Sequence, residues 1–141
     1  GYSTNIMYFR THKLFSFINV RYSSSLLNQR WGPHTGPKAV KIVEVSPRDG
    51  LQNEKQFIST ENKIEFINKL SQTGLKVVET TSFVSPKLVP QMSDATEVIA
   101  KITRKSDVDY PVLVPNLTGL KKAILSDVKE IAIFASASET F

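Results

Sequence analysis

The stretch VEVSPRDGLQNE, residues 43–54, decides how the rest of the chain is read. An apolar, β-branched run ends at Pro47. Arg48 and Asp49 follow side by side, then Gly50, with Gln52 and Glu54 just beyond. Proline ends a strand ladder and glycine permits a tight turn. Opposite charges are therefore expected at the tip of a strand, AVKIVEVS over residues 39–46.

Working outward, β and α patterns alternate. STENKIEFINKLSQTG (59–74) reads as a helix capped by Ser59 or Thr60, with Ile64, Phe66, Ile67 and Leu70 forming an apolar stripe and Gly74 as its stop. LKVVETTSF (75–83) is a second strand. SDATEVIAKIT (93–103) is a second helix, with Asp94 and Glu97 at capping-box spacing. YPVLVPN (110–116), LTGLKKAILSD (117–127) and KEIAIFASAS (129–138) continue as strand, short helix, strand. Such alternation predicts an α/β fold with parallel strands and helical crossovers. Near-continuous apolar strands predict that both sheet faces are covered. Two architectures compete, an open doubly wound sheet and a (β/α)8 barrel. The phosphate-binding glycine patterns of the open folds are missing. Polar residues gather at strand C-termini: Arg48 and Asp49, Glu79 to Ser82, Asn116, Ser136 and Ser138. In a barrel those ends form the active-site face.

Composition narrows the chemistry. The 141 residues include no cysteine, which excludes disulfides, thiolate metal sites and a cysteine nucleophile from these residues. The two histidines, His12 and His34, lie in the first quarter, and no apolar run is long enough to span a bilayer. The net charge of +5 is concentrated at one end: residues 1–43 hold six of the 18 basic side chains and none of the 13 acidic ones. The rest is near neutral, which argues against a nucleic-acid partner. Residues 1–39 read as a disordered leader and linker with the Arg, Lys and Ser content of a mitochondrial transit peptide, processed near Tyr22. Trp31 reads as a loop anchor. Residues 40–141 read as the folded body.

At the strand tips, a carboxylate such as Asp49 suits a hard divalent cation, which takes oxygen ligands. A neighbouring guanidinium, Arg48, can hold a carboxylate or thioester oxygen and offset developing negative charge. Glu79, at the tip of the adjacent strand, faces the same pocket if the two strands are neighbours. Spacing alone fits equally an Arg–Asp pair that caps a loop, with Glu79 in solvent.

The runs VKIVEVSPRDGLQNEK, VVETTSFVSPKLVPQMSD, YPVLVPNLTG and EIAIFASASETF closely resemble the 3-hydroxy-3-methylglutaryl-CoA lyases, in the metal-dependent lyase and synthase group of TIM barrels. The Arg-Asp-Gly-x-Gln core is shared with Claisen-type synthases of the group, such as homocitrate and isopropylmalate synthases. The ETTSFVSPKLVPQM run is more specific to the lyases. The resemblance implies the N-terminal half of a (β/α)8 barrel, through about strand four, with open edges at residues 40–45 and 131–135. It implies cleavage of 3-hydroxy-3-methylglutaryl-CoA to acetyl-CoA and acetoacetate, a step of ketone-body formation and leucine breakdown, assisted by Mg2+ or Mn2+. Asp49 would then be a metal ligand, Arg48 the catalytic partner of the thioester oxygen, Glu79 a catalytic acid near the substrate hydroxyl, and Gln52 a substrate contact. The implied setting is the mitochondrial matrix, with an acyl-CoA substrate, no nucleic-acid or membrane partner, and a homodimer in the complete protein. Ser46 departs from the lyase pattern, which has Gly before the Pro. The family's His-x-His pair, further Asn ligand and catalytic Cys loop have no counterpart here, so the chain reads as an N-terminal fragment. Two alternatives remain open: a Claisen-type synthase and a truncated, non-catalytic partner.

Overall fold

A computed structural model of the chain describes residues 39–135 with their side chains, and the backbone of Asn5–Arg10. In chain order it contains β1 (Asn5–Arg10), a wide π-helical turn (Ser46–Gly50), α1 (Thr60–Leu70) and β2 (Thr81–Ser82). A 3-10 turn (Pro90–Met92), α2 (Ala95–Lys101), β3 (Val112–Leu113), α3 (Leu117–Leu125) and β4 (Glu130–Ala135) follow.

The parallel β segments, from Glu44 onward, join in chain order. Glu44 N–H donates to Val77 O at 3.0 Å, and Glu79 N–H donates back to Glu44 O at 2.8 Å, a parallel bridge between the first two segments. β2 pairs in parallel with β3, and β3 with β4. In a doubly wound sheet the order reverses at a switch point. Here each parallel segment is added on the same side of the last. With right-handed crossovers, the helices of such an arrangement fall on one face, as in a barrel. The fold is α/β, with the parallel segment order expected of part of a TIM barrel.

Regular strand is shorter than the apolar runs predict. The 75–83 segment bonds its neighbour well beyond β2: Val78 N–H reaches Asp109 O, Thr80 N–H reaches Pro111 O, and Phe83 N–H reaches Leu113 O, at 2.9–3.0 Å. Pro111 has no N–H to return, so the reciprocal ladder is interrupted there. The first segment keeps only the Glu44 bridge, and Val40 and Ile42 on its outer reach are exposed.

The core lies between the sheet and the helices. Ile67 of α1, Val98 and Ile99 of α2 and Ala123 of α3 close over Val78, Val112 and Ile131, all buried. Fully burying a side chain such as Ile67 contributes roughly 1.5–3 kcal/mol. Ile64 and Leu70 pack against this cluster, as the helical spacing predicts, while Phe66 is half-buried outside it. Ser59 caps α1 through Asn62 N–H, and Gly74 turns the chain away with φ +90°.

Two expectations change at the sheet edges. Where the sequence predicts a disordered leader, Asn5–Arg10 forms a strand antiparallel to β4, from Asn5 opposite Ala135 to Arg10 opposite Glu130. The expected open edge at 131–135 is therefore covered. An edge strand offers a row of unpaired N–H and C=O groups, and NIMYFR has the β-forming residues to take them. The other leader residues discussed above, including His12, Tyr22, Trp31 and His34, lie outside the described residues, as do Ser136 and Ser138.

Candidate active site

Pro47 is the second residue of the π-helical turn, within the first turn where its fixed φ suits the helix and its missing N–H is not needed. Both following amides bond to one carbonyl: Arg48 N–H to Val45 O at 3.1 Å and Asp49 N–H to Val45 O at 2.7 Å. Gly50 does not require a left-handed backbone, since Gly74 is the glycine with positive φ among the described residues. A Cβ on Gly50 would meet Ser46 Cβ at 3.5 Å, an ordinary contact. Ser46 is also unstrained. Its hydroxyl and its N–H both donate to Glu44 Oε1, the latter at 2.8 Å. The Ser46 hydroxyl, followed by the Ser46 amide, holds the Glu44 carboxyl below the usual carboxylate range.

The turn sends consecutive side chains in different directions. Arg48 is buried and Asp49 is more than half exposed. Arg48 Nε donates to Glu79 Oε1 at 2.5 Å, and Arg48 Nη1 donates to Asp49 Oδ1 at 2.7 Å. Glu79 is completely buried. Three of the four residues proposed from sequence thus meet in one cluster at the C-terminal ends of two neighbouring β segments. Glu79 does not stand in solvent, so the loop-capping alternative describes only part of the arrangement. Gln52 lies apart from the ion pairs and lines a cleft of about 410 Å3 with Lys55 and Phe57 from its own loop and Leu88 from the next.

Chemically, the cluster offers a guanidinium oriented by a buried carboxylate and a second carboxylate open to solvent. The donor type of Asp49 fits a hard divalent cation as one ligand. Among the described residues no group of three His, Cys, Asp or Glu side chains is placed to hold a metal ion. Asn116, expected among the polar strand ends, accepts from Gly119 N–H at 2.9 Å and caps α3. A second cavity of about 420 Å3, bordered by Arg104, Tyr110 and Lys129, lies at the opposite end of the strands. That face of a barrel serves stability rather than catalysis.

Sequence reasoning missed a second polar cluster. Lys63, on the buried face of α1, contacts Asp94 Oδ1 and Oδ2 at 2.9 and 3.0 Å and also donates to Gln91 O. Asp94 makes no capping bond, contrary to the capping-box expectation. Its carboxylate is taken by Lys63 and by the Thr60 hydroxyl at 2.8 Å. One signal was available: Lys63 precedes Ile67 by four residues, so it belongs to the apolar stripe.

The chain is 60% identical over 107 residues to the mitochondrial hydroxymethylglutaryl-CoA lyase of Pongo abelii, covering 76% of this chain and 33% of that protein. It is 61% identical over 105 residues to the cytoplasmic 3-hydroxy-3-methylglutaryl-CoA lyase of Rattus norvegicus, covering 74% and 31%. Among solved structures, the hydroxymethylglutaryl-CoA lyase of Pseudomonas aeruginosa aligns with a TM-score of 0.63 and 52% identity, over 65% of this chain and 31% of that one. An HMG-CoA lyase of Acinetobacter baumannii, in complex with coenzyme A and 3-methylmalate, aligns with a TM-score of 0.61 and 45% identity, over 62% and 29%. The chain spans about a third of the length of the curated relatives it matches. Relatives named mitochondrial and cytoplasmic match it about equally well. Residues 39–141 match the HMGL-like family, to which the chain therefore belongs.

Proposed function

We propose that this chain carries the first part of the active site of a hydroxymethylglutaryl-CoA lyase. The observation that carries the reading is Arg48, held between buried Glu79 and exposed Asp49 at the strand C-terminal ends. The reaction breaks the C2–C3 bond of 3-hydroxy-3-methylglutaryl-CoA. The C3 hydroxyl loses its proton and becomes the ketone of acetoacetate. The bonding pair passes to C2, giving the enolate of acetyl-CoA, which takes up a proton. Negative charge therefore develops on the thioester oxygen, where a fixed guanidinium lowers the barrier most. Glu79, expected from the resemblance as an acid near the substrate hydroxyl, is fully buried against Arg48 Nε and acts through Arg48, by fixing the guanidinium plane. Asp49 supplies one carboxylate ligand for Mg2+ or Mn2+. A divalent cation held there would supply Lewis-acid chemistry, favouring loss of the proton from the tertiary hydroxyl. Gln52 contacts substrate from the neighbouring cleft.

On this reading Asp49 is one ligand of the set, and the resemblance assigns the others and the proton-transfer group to a His-x-His pair, an Asn and a Cys that have no counterpart in this sequence. The family resemblance extends the proposal to a homodimer of the complete protein. The basic, acid-free segment ahead of the body supports the mitochondrial matrix as its location.

The test is a coupled acetoacetate assay on the complete protein and its Arg48→Lys variant. Lysine keeps a cation beside buried Glu79 but loses the planar fork. The expected fall in kcat is on the order of a hundredfold or more. Near-normal turnover would reduce Arg48 to a loop cap. Net condensation of acetyl-CoA with a 2-oxo acid would identify a synthase instead.

A further inference from the structure

We infer that Gln91 is a positioning residue of this site, whose buried side-chain amide clips the loop that follows the Arg48–Gln52 turn. Residues 53–59 belong to neither helix nor strand. Such a segment must find partners elsewhere for the backbone groups it buries. Gln91 provides two of them. Its Nε2 donates to Gln56 O at 2.9 Å, and its Oε1 accepts from Ile58 N–H at 3.0 Å. One amide thus offers the donor and acceptor that a neighbouring strand would offer. Gln91 is only 6% exposed, so the geometry is shielded from competing water.

The clip is itself anchored. Lys63 Nζ donates to the main-chain oxygen of Gln91, pairs with Asp94 and lies 4.8 Å over the ring of Phe57. One ammonium therefore touches both loops that border the cleft lined by Gln52. Phe57 and Leu88 face each other across that cleft with more than half of their surface in solvent, so little apolar packing holds the loops together there. The polar clip does so, and it fixes the loop that walls the cleft beside Gln52. The consequence for substrate rests on the lyase reading above; the clip does not.

Amide hydrogen exchange on the 141-residue chain tests the clip directly. Gln91→Met keeps the side-chain length and removes both bonds. It is expected to speed exchange at the Ile58 amide about tenfold or more, while the Val98 and Ile102 amides of the helical core stay unchanged. Gln91→Glu keeps an acceptor for Ile58 N–H and is expected to retain most of the protection there. In the complete protein, Gln91→Met is expected to raise KM for the thioester severalfold, with kcat within about twofold, because it disturbs binding rather than the transition state. Unchanged exchange at Ile58 would overturn the clip. So would an equal loss of protection throughout the core, which is the mark of a merely structural residue. Faster exchange with an unchanged KM would overturn the positioning role. A complete wild-type protein without lyase turnover would overturn the lyase reading, and the exchange measurement would still decide the clip.

Discussion

The two polar clusters at the top of the sheet have the same ingredients and opposite finish. Each pairs a buried cation with a carboxylate: Arg48 with the fully buried Glu79, and Lys63 with the part-buried Asp94. Around Lys63 the set is closed. Both oxygens of Asp94 are taken, and the lysine's remaining reach goes to a main-chain oxygen. Around Arg48 the set is extended by a third group, Asp49, which stands more than half in solvent. A lysine is a point charge that a small cage can saturate, whereas the arginine fork presents five N–H groups in fixed directions. The contrast separates a polar cluster that holds loops from one that keeps a charged group available to a ligand.

The largest effect should come from opening the closed cluster. Asp94→Ala leaves the Lys63 ammonium buried without its partner, and removal of one member of such a pair costs about 3–5 kcal/mol. Urea unfolding measures this. A cost below about 1 kcal/mol would mean that water reaches Lys63 and the cluster is not closed. The double variant Lys63→Met, Asp94→Leu should recover most of the loss, because no charge is then stranded.

Next is the support of the segment that carries Glu79. α3 crosses its end so closely that a Cβ on Gly119 would lie 2.6 Å from Phe83 O, a main-chain atom that cannot rotate away. Gly119→Ala should cost about 1–3 kcal/mol by overpacking. If the Arg48 cluster depends on a rigid strand, the Glu79 amide should also lose exchange protection. Protection unchanged at Glu79 would show that the site is independent of α3.

Asp49→Ala sharpens the contrast with Asp94. An exposed pair contributes about 0–1 kcal/mol, so stability should barely change. If Asp49 takes the ligand role proposed for it, Mn2+ affinity in the complete protein should fall by about tenfold or more. A stability cost as large as that of Asp94→Ala would erase the distinction between the two clusters.

The smallest effect concerns Ser46. Its hydroxyl is the main cause of the depressed Glu44 carboxyl. A depressed acid stabilises the fold above its unfolded pKa, and that contribution is lost as pH falls through the lower folded value. Ser46→Ala should move the Glu44 titration back toward the ordinary carboxylate range and narrow this acid window. A carbon-detected NMR titration of Glu44 checks the direction. An unchanged midpoint would assign the depression to the amide bond alone.

Periodicity and turn residues were sufficient to locate all three helices, because a stripe such as Ile64, Ile67 and Leu70 and a cap such as Ser59 are local. Parallel pairing was legible for a similar reason, since crossover helices join parallel strands, whereas the adjacency of the first two strands and the place of Asn5–Arg10 were not. Arg48, Asp49 and Glu79 could be nominated as a group because strand tips are visible as the points where apolar runs meet Pro or polar residues. Strand lengths were not legible, since ladder continuity depends on what the partner opposite can donate, and Pro111 donates nothing.

What the sequence determined by itself is the alternation, the helix ends and the residue types at the strand tips, all set by contacts within a few positions. Only the tertiary structure decided the pairings that join distant positions. Glu79 lies under Arg48 across 31 residues, and Asp94 serves Lys63 across another 31 instead of capping its own helix. Asn5–Arg10 lies along β4. Burial decides such choices: a charge or an edge removed from water takes whichever partner the fold brings within reach, however far along the chain that partner lies.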